Sequence, residues 1–145
     1  MHKLIISFLL LLVTTLVASE STVKINWAKD FDSGISQAKK ENKPVLFVYS
    51  RHSCKYCVIL EETTFSNIDV INSLNKDFVS IIAYSDENDA MPRELWRPGT
   101  PTMWFLKSDG NPMYQPLMGA MDETNFLKAL EIVKMDFNKI KKSGK

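Results

Sequence analysis

Cys54 and Cys57 are the only cysteines in the chain, and they stand three residues apart, as Cys54-Lys55-Tyr56-Cys57, just after the apolar run Val45-Leu46-Phe47-Val48-Tyr49. A helix that begins at the first of them puts its sulfur where unpaired N–H groups and the helix dipole stabilise a thiolate. The second sulfur then lies close enough to close a disulfide. A thiolate is the species that attacks a disulfide, so the pair can supply both a nucleophile and the thiol that resolves the resulting mixed disulfide. The cofactor of such chemistry is the Cys54-Cys57 disulfide itself, and no metal is required.

The surrounding pattern supplies elements to hold that pair. Asp30 or Asp32 can cap a helix carrying Phe31, Ile35 and Ala38 at helical spacing, ended by Asn42-Lys43-Pro44. Val45 to Tyr49 reads as a strand buried on both faces, the usual centre of a sheet with helices on either side. A helix follows from Cys54 to about Thr64, then a second from Asn67 to Leu74 with Ile68, Ile71 and Leu74 on one side. Phe78 to Tyr84 is a strand, Ser85 to Pro98 is irregular with a helical turn near Arg93 to Trp96, and Thr102 to Leu106 is a strand. The turn Ser108-Asp109-Gly110-Asn111 leads to a partner strand, Met113 to Leu117. Last comes an amphipathic helix with Asp122 as N-cap and Phe126, Leu130, Val133, Phe137 and Ile140 on its apolar face. This order predicts an α/β fold, a three-layer sandwich in which helices flank a central mixed β-sheet.

Residues 1–19 have the pattern of a signal peptide: Lys3, an apolar stretch from Leu4 to Val17, then the small residues Ala18 and Ser19, with cleavage expected after Ser19. The stretch falls short of the ~20 residues of a spanning helix. Residues 20–145 fit one domain, without a Pro/Gly/Ser-rich linker or internal repeat. With 18 basic and 17 acidic residues the net charge is +1, which gives no global field to attract nucleic acid. In an exported protein a cysteine pair often serves as a structural staple, yet a staple gains most by closing a long loop and this pair would close a very short one.

Lys43-Pro44-Val45-Leu46-Phe47-Val48, the Cys54/Cys57 pair, Gly99-Thr100-Pro101-Thr102 and Gly119-Ala120 together resemble the thioredoxin superfamily, over nearly the whole of residues 20–145. Thr64-Phe65-Ser66 and Gly119-Ala120-Met121-Asp122 bring the chain nearest to the periplasmic C-terminal domain of the transmembrane thiol:disulfide interchange reductase. The resemblance implies that Pro101 is cis and faces the dithiol, and that Thr100 offers backbone atoms to a substrate strand. It also implies that Glu61, four residues after the second cysteine, is a nearby base. Where many relatives carry a buried aspartate this chain has Val48, and where many carry tryptophan before the first cysteine it has Ser53. Lys55, Arg51 and His52 are cations or potential cations that favour a thiolate at Cys54. Tyr56 resembles the periplasmic isomerases, whose motif also places tyrosine there, although their separate dimerisation domain is not expected here. Tyr56, Trp96 and Trp104 are candidates for a substrate-facing surface, although an aromatic at strand spacing, as Trp104 is, more often belongs to the core.

These residues point to a periplasmic, monomeric thiol:disulfide oxidoreductase that reduces exported cysteine-containing proteins and draws electrons from a membrane thiol donor, or passes them to a membrane acceptor if it oxidises. Other readings stay open: a disulfide oxidase or isomerase, a non-catalytic adaptor, or a copper-binding module using Cys54, Cys57 and His52. Covalent haem attachment is excluded at this motif because Val58 and not histidine follows Cys57.

Overall fold

The structure, a computed structural model, describes residues 23–143; the expected signal peptide lies outside them. The first helix, α1 (Phe31–Glu41), starts where Asp30 closes a capping box: the Ser33 N–H donates to Asp30 Oδ1 at 2.8 Å and the Asp30 N–H donates to Ser33 Oγ at 3.1 Å. It ends at Asn42, whose φ of 51° is the left-handed cap that asparagine tolerates. Strand β1 (Val45–Ser50) pairs parallel with β2 (Val79–Tyr84) on one edge and antiparallel with β3 (Thr102–Leu106) on the other. With β4 (Leu117–Met118) the order is β2-β1-β3-β4, the mixed sheet that the sequence predicts.

Alternation along β1 sends side chains into two separate cores. Val45 and Phe47 join Ile81, Trp104 and Leu106 under α1, while Leu46 and Val48 join Met103 and Phe105 under the other helices. Those helices are α2 (Lys55–Glu62), α3 (Ile68–Asp77) and α4 (Glu123–Ser143), with a 3-10 turn at Thr64–Ser66 between the first two. Three layers result, with the sheet in the middle.

Several local expectations shift. The helix expected to run to about Thr64 stops at Glu62 and tightens into the 3-10 turn. On α3 the buried side chains are Val70, Ile71 and Leu74, whereas Ile68 is exposed because it sits on the first turn, outside the packed face. On α4 the apolar face holds as far as Phe137, and Ile140 is exposed. The partner strand expected at Met113 to Leu117 is reduced to a bridge at Pro112 opposite Leu106 and the two residues of β4. Pro112 and Pro116 bracket the gap, and neither has an N–H to give to a ladder. Trp104 is buried, with its indole N–H donating to the Leu95 carbonyl at 2.8 Å, which ties the segment before Pro98 to the sheet.

Gly34, in the middle of α1, lies where a Cβ would come within 2.5 Å of Ile81 Cγ1 and Cδ1. Overpacking of a buried contact costs about 1–3 kcal/mol. Removing a helical glycine returns about 1 kcal/mol. Gly34→Ala is therefore expected to lower stability by about 1 kcal/mol on balance, read as a lower urea midpoint at unchanged slope; an increase would mean that Ile81 repacks freely.

Candidate active site

The C-terminal end of β1 releases the chain into the segment that carries the dithiol. Cys54 is the N-cap of α2, in extended conformation, and its Sγ accepts the Cys57 N–H at 3.3 Å. As a thiol it also points its S–H at the Thr100 carbonyl oxygen, 3.3 Å away. The Thr100-Pro101 peptide bond is cis, and Pro101 is buried beside the start of β3. Cys54 is partly exposed and Cys57 fully buried, and both are free thiols.

Their environments push the two thiols apart. Burial acts on Cys54 to raise its pKa, but hydrogen bonding by the Cys57 and Thr100 side chains and by the Cys57 and Tyr56 N–H groups outweighs it, so the pKa is lowered. Burial drives the Cys57 thiol up, its hydrogen bond to Cys54 adds to the rise, and the Thr100 and Ser50 side chains and the Arg51 N–H only partly oppose it. The outer sulfur is thus the readier thiolate and the inner one holds its proton. Lys55 is exposed on the first turn of α2, and the hydrogen bonds that lower the Cys54 pKa come from neutral groups.

One helical turn beyond Cys57, Glu61 points back to the strand ends. Its Oε1 accepts from Ser50 Oγ at 2.8 Å and its Oε2 accepts from the Tyr84 hydroxyl at 3.0 Å. Ser50 and Tyr84 are register partners at the last pair of β1 and β2. Neither was singled out from the sequence, although Ser50 follows Leu46 and Val48 on the same face by simple alternation. Val48 itself is wholly buried in apolar surroundings. Burial, and then the Glu61 carboxylate, hold the Tyr84 phenol far above its ordinary pKa, so it stays a donor.

A polar loop closes this end of the sheet. The His52 ring stacks on Tyr84 with centroids 4.0 Å apart, and its Nε2 lies 2.6 Å from Glu87 Oε1. The Asp86 carboxylate accepts the His52 and Ser53 N–H groups. Of the other sequence candidates, Tyr56 and Trp96 are 60% and 55% exposed and remain available to a partner, whereas Trp104 belongs to the core, with the Arg97 guanidinium over its ring at 4.8 Å. Among the described residues no three His, Cys, Asp or Glu side chains are grouped so as to hold a metal ion.

A family profile described as "Thioredoxin-like domain" matches residues 31–134. The chain belongs to the thioredoxin-like domain family. Among solved structures, this thioredoxin-like chain is similar to a thioredoxin from Thermus thermophilus, with 24% identity, 76% of this chain and 87% of that one covered, and a TM-score of 0.64. It is also similar to the oxidised C-terminal domain of Neisseria meningitidis DsbD, with 22% identity, 69% and 89% covered, and a TM-score of 0.57. Both likenesses show the fold. Among curated proteins, spermatogenesis-associated protein 20 of Rattus norvegicus is 32% identical over 63 residues, which are 43% of this chain and 8% of that protein. Anterior gradient protein 3 of Mus musculus is 25% identical over 65 residues, 45% and 39% respectively. The chain thus spans under a tenth of the first relative and about two fifths of the second.

His52 is the only histidine among the described residues, which makes its titration easy to follow. The hydrogen bond to Glu87 raises its pKa; burial opposes it, and the charges of Asp86, Glu87 and Glu61 add to the rise. A histidine whose folded pKa is raised contributes fully below its unfolded value of about 6.5 and loses that contribution as pH climbs through the folded value. The loop contact is accordingly expected to be strongest in mild acid and to loosen above neutrality. The ring-proton NMR titration of His52 should have its midpoint above about 6.5 and fall back in Glu87→Gln; equal midpoints in the two proteins would show that the ion pair does not form in solution.

Proposed function

We propose that this protein is a thiol:disulfide oxidoreductase in which Cys54 attacks and Cys57 resolves. The observation that carries this reading is the placement of the Cys54 sulfur: on the N-terminal amides of α2, part exposed, beside the Thr100-Pro101 turn, with Cys57 buried directly behind it. The thiolate of Cys54 attacks one sulfur of a substrate disulfide, which breaks that bond, forms a mixed disulfide and releases the other substrate sulfur as a thiolate that takes up a proton. Cys57 then loses its proton and attacks Cys54 Sγ. The mixed disulfide breaks, the substrate leaves reduced, and two electrons have passed from the protein dithiol to the substrate. Thr100, whose carbonyl already faces the attacking sulfur, holds the substrate strand, and Tyr56 and Trp96 flank its path. Glu61, whose carboxylate accepts from Ser50 and Tyr84 at the strand ends, is the base we assign to the inner thiol.

The direction we favour is reduction, in a periplasmic setting reached through the apolar Leu4 to Val17 segment, with electrons supplied by a membrane thiol donor and exported proteins as substrates. Support for reduction comes from the resemblance of Thr64-Phe65-Ser66 and Gly119-Ala120-Met121-Asp122 to the periplasmic reductase domain. The lowered pKa of Cys54 stabilises the reduced form and so weighs toward an oxidant.

Cys54→Ser is expected to abolish exchange with a disulfide substrate, and Cys57→Ser to accumulate a mixed disulfide visible on a non-reducing gel. The reverse pattern would exchange the two roles. The reduction potential of the pair, equilibrated against thiol buffers, is expected toward the thioredoxin end at about −270 mV; a value of roughly −120 to −180 mV would mark an oxidase or isomerase instead.

A further inference from the structure

Val48, six residues before Cys54 on β1, is wholly buried among apolar side chains and offers no acceptor to a proton leaving Cys57. Two residues further along β1, on the same face, Ser50 is 1% exposed and has its hydroxyl 2.8 Å from Glu61 Oε1. Glu61 is fixed from its other oxygen by Tyr84 at 3.0 Å. It also lines a cavity of 390 Å³ between the segment before α1, the 3-10 turn and β2, a cavity whose lining includes the exposed Lys24 and Ser66 as well as Trp27. The carboxylate therefore has a donor at the strand end on one side and an opening to solvent on another.

We propose that Ser50 is the proton relay of the resolving step: its hydroxyl accepts the Cys57 proton while passing its own to Glu61 Oε1, and the proton then leaves Glu61 through the cavity. This rests on the oxidoreductase reading given above and adds to it a residue and a route. The step balances: the Cys57 S–H bond breaks, one proton enters the relay at Ser50 and one leaves it to Glu61, and the thiolate so formed attacks Cys54 Sγ. Ser50 ends as it began. A serine hydroxyl suits this because it donates and accepts at once, and its action on the Cys57 thiol runs in the sense that eases deprotonation. Tyr84 holds Glu61 and is a positioning residue. The charged or titratable groups facing the relay are Cys54 at the cap of α2, Cys57 and Glu61 on α2 and Tyr84 on β2, with His52 and Glu87 beyond Tyr84 and Lys24 at the cavity.

A symmetric aromatic disulfide that releases a coloured thiolate separates the steps. Its first equivalent appears when Cys54 attacks and its second when Cys57 resolves. In the full-length reduced protein near neutral pH, Ser50→Ala is expected to leave the first phase within about twofold and slow the second by about tenfold or more, in the range of a lost general acid-base contribution. The deficit should shrink as pH rises and hydroxide takes over the deprotonation, and Ser50→Thr should restore most of the rate. Glu61→Gln should show the same selective, pH-dependent loss, and the double variant Ser50→Ala/Glu61→Gln should be no slower than the worse single one. A second phase of wild-type speed in Ser50→Ala, or a deficit that stays constant with pH, would overturn the relay while leaving the oxidoreductase intact. Absence of both phases in the wild-type protein would instead remove the oxidoreductase reading itself.

Discussion

Strand β1 is hydrogen-bonded along both edges, to β2 and β3, and covered on both faces by helices, so nothing polar can be placed along most of its length. Val45, Leu46, Phe47 and Val48 are all completely buried. The first place where the strand can carry chemistry is its C-terminal end, where the backbone turns into α2 and the neighbouring strand also ends. The dithiol, the Thr100 carbonyl, Ser50, Tyr84 and Glu61 all gather at that one end. This is the general behaviour of ligand and reaction sites at strand ends in α/β sheets, where the sheet supplies rigidity and the loops supply function.

The same constraint sets the polar arrangement behind Cys57. A carboxylate brought against the sheet loses water on that side and must regain partners. Glu61 regains them from two hydroxyls that the strand ends put side by side, Ser50 of β1 and Tyr84 of β2, which are register partners in a parallel pair and so share a face. An apolar residue at Val48 lets the second core close over the middle of the sheet, and the acid sits instead on the helix above, next to a cavity. The burden of a buried charge under the dithiol is thereby moved to a place where solvent can share it.

Much of this was legible in the amino acids, and the rest failed for specific reasons. Strand β1, helix α4 and the position of the dithiol follow from long, strongly patterned runs, and the mixed three-layer sheet follows from the order of elements. Ends were less legible. Periodicity says which side of a helix is apolar but not how far the sheet beneath it extends, so Ile68 and Ile140 fall outside the contact. The return strand after the Asp109-Gly110 turn is broken because two prolines cannot donate, a local fact that alternation alone overlooks. Ser50 and Tyr84 were missed because each looks like the ordinary polar end of a strand, and only pairing across 34 residues of sequence brings them to one carboxylate.

The division of labour between the two sulfurs then follows from depth. Both feel burial, but Cys54, at the cap, has hydrogen bonding that more than offsets it, whereas Cys57, one turn inside α2 and facing the sheet, has donors that fall short. An outer sulfur that ionises the more readily, with an inner thiol hydrogen-bonded to it, is a poised state: the outer sulfur attacks first, and the inner sulfur becomes a nucleophile only once its proton has a destination. In the mechanism we propose, a substrate joined to Cys54 takes that hydrogen bond from Cys57, because the sulfur that accepted it has become part of a disulfide. In that proposal the inner thiol keeps the Ser50 side chain at the strand end as a partner, so engagement of the first sulfur is itself what releases the second.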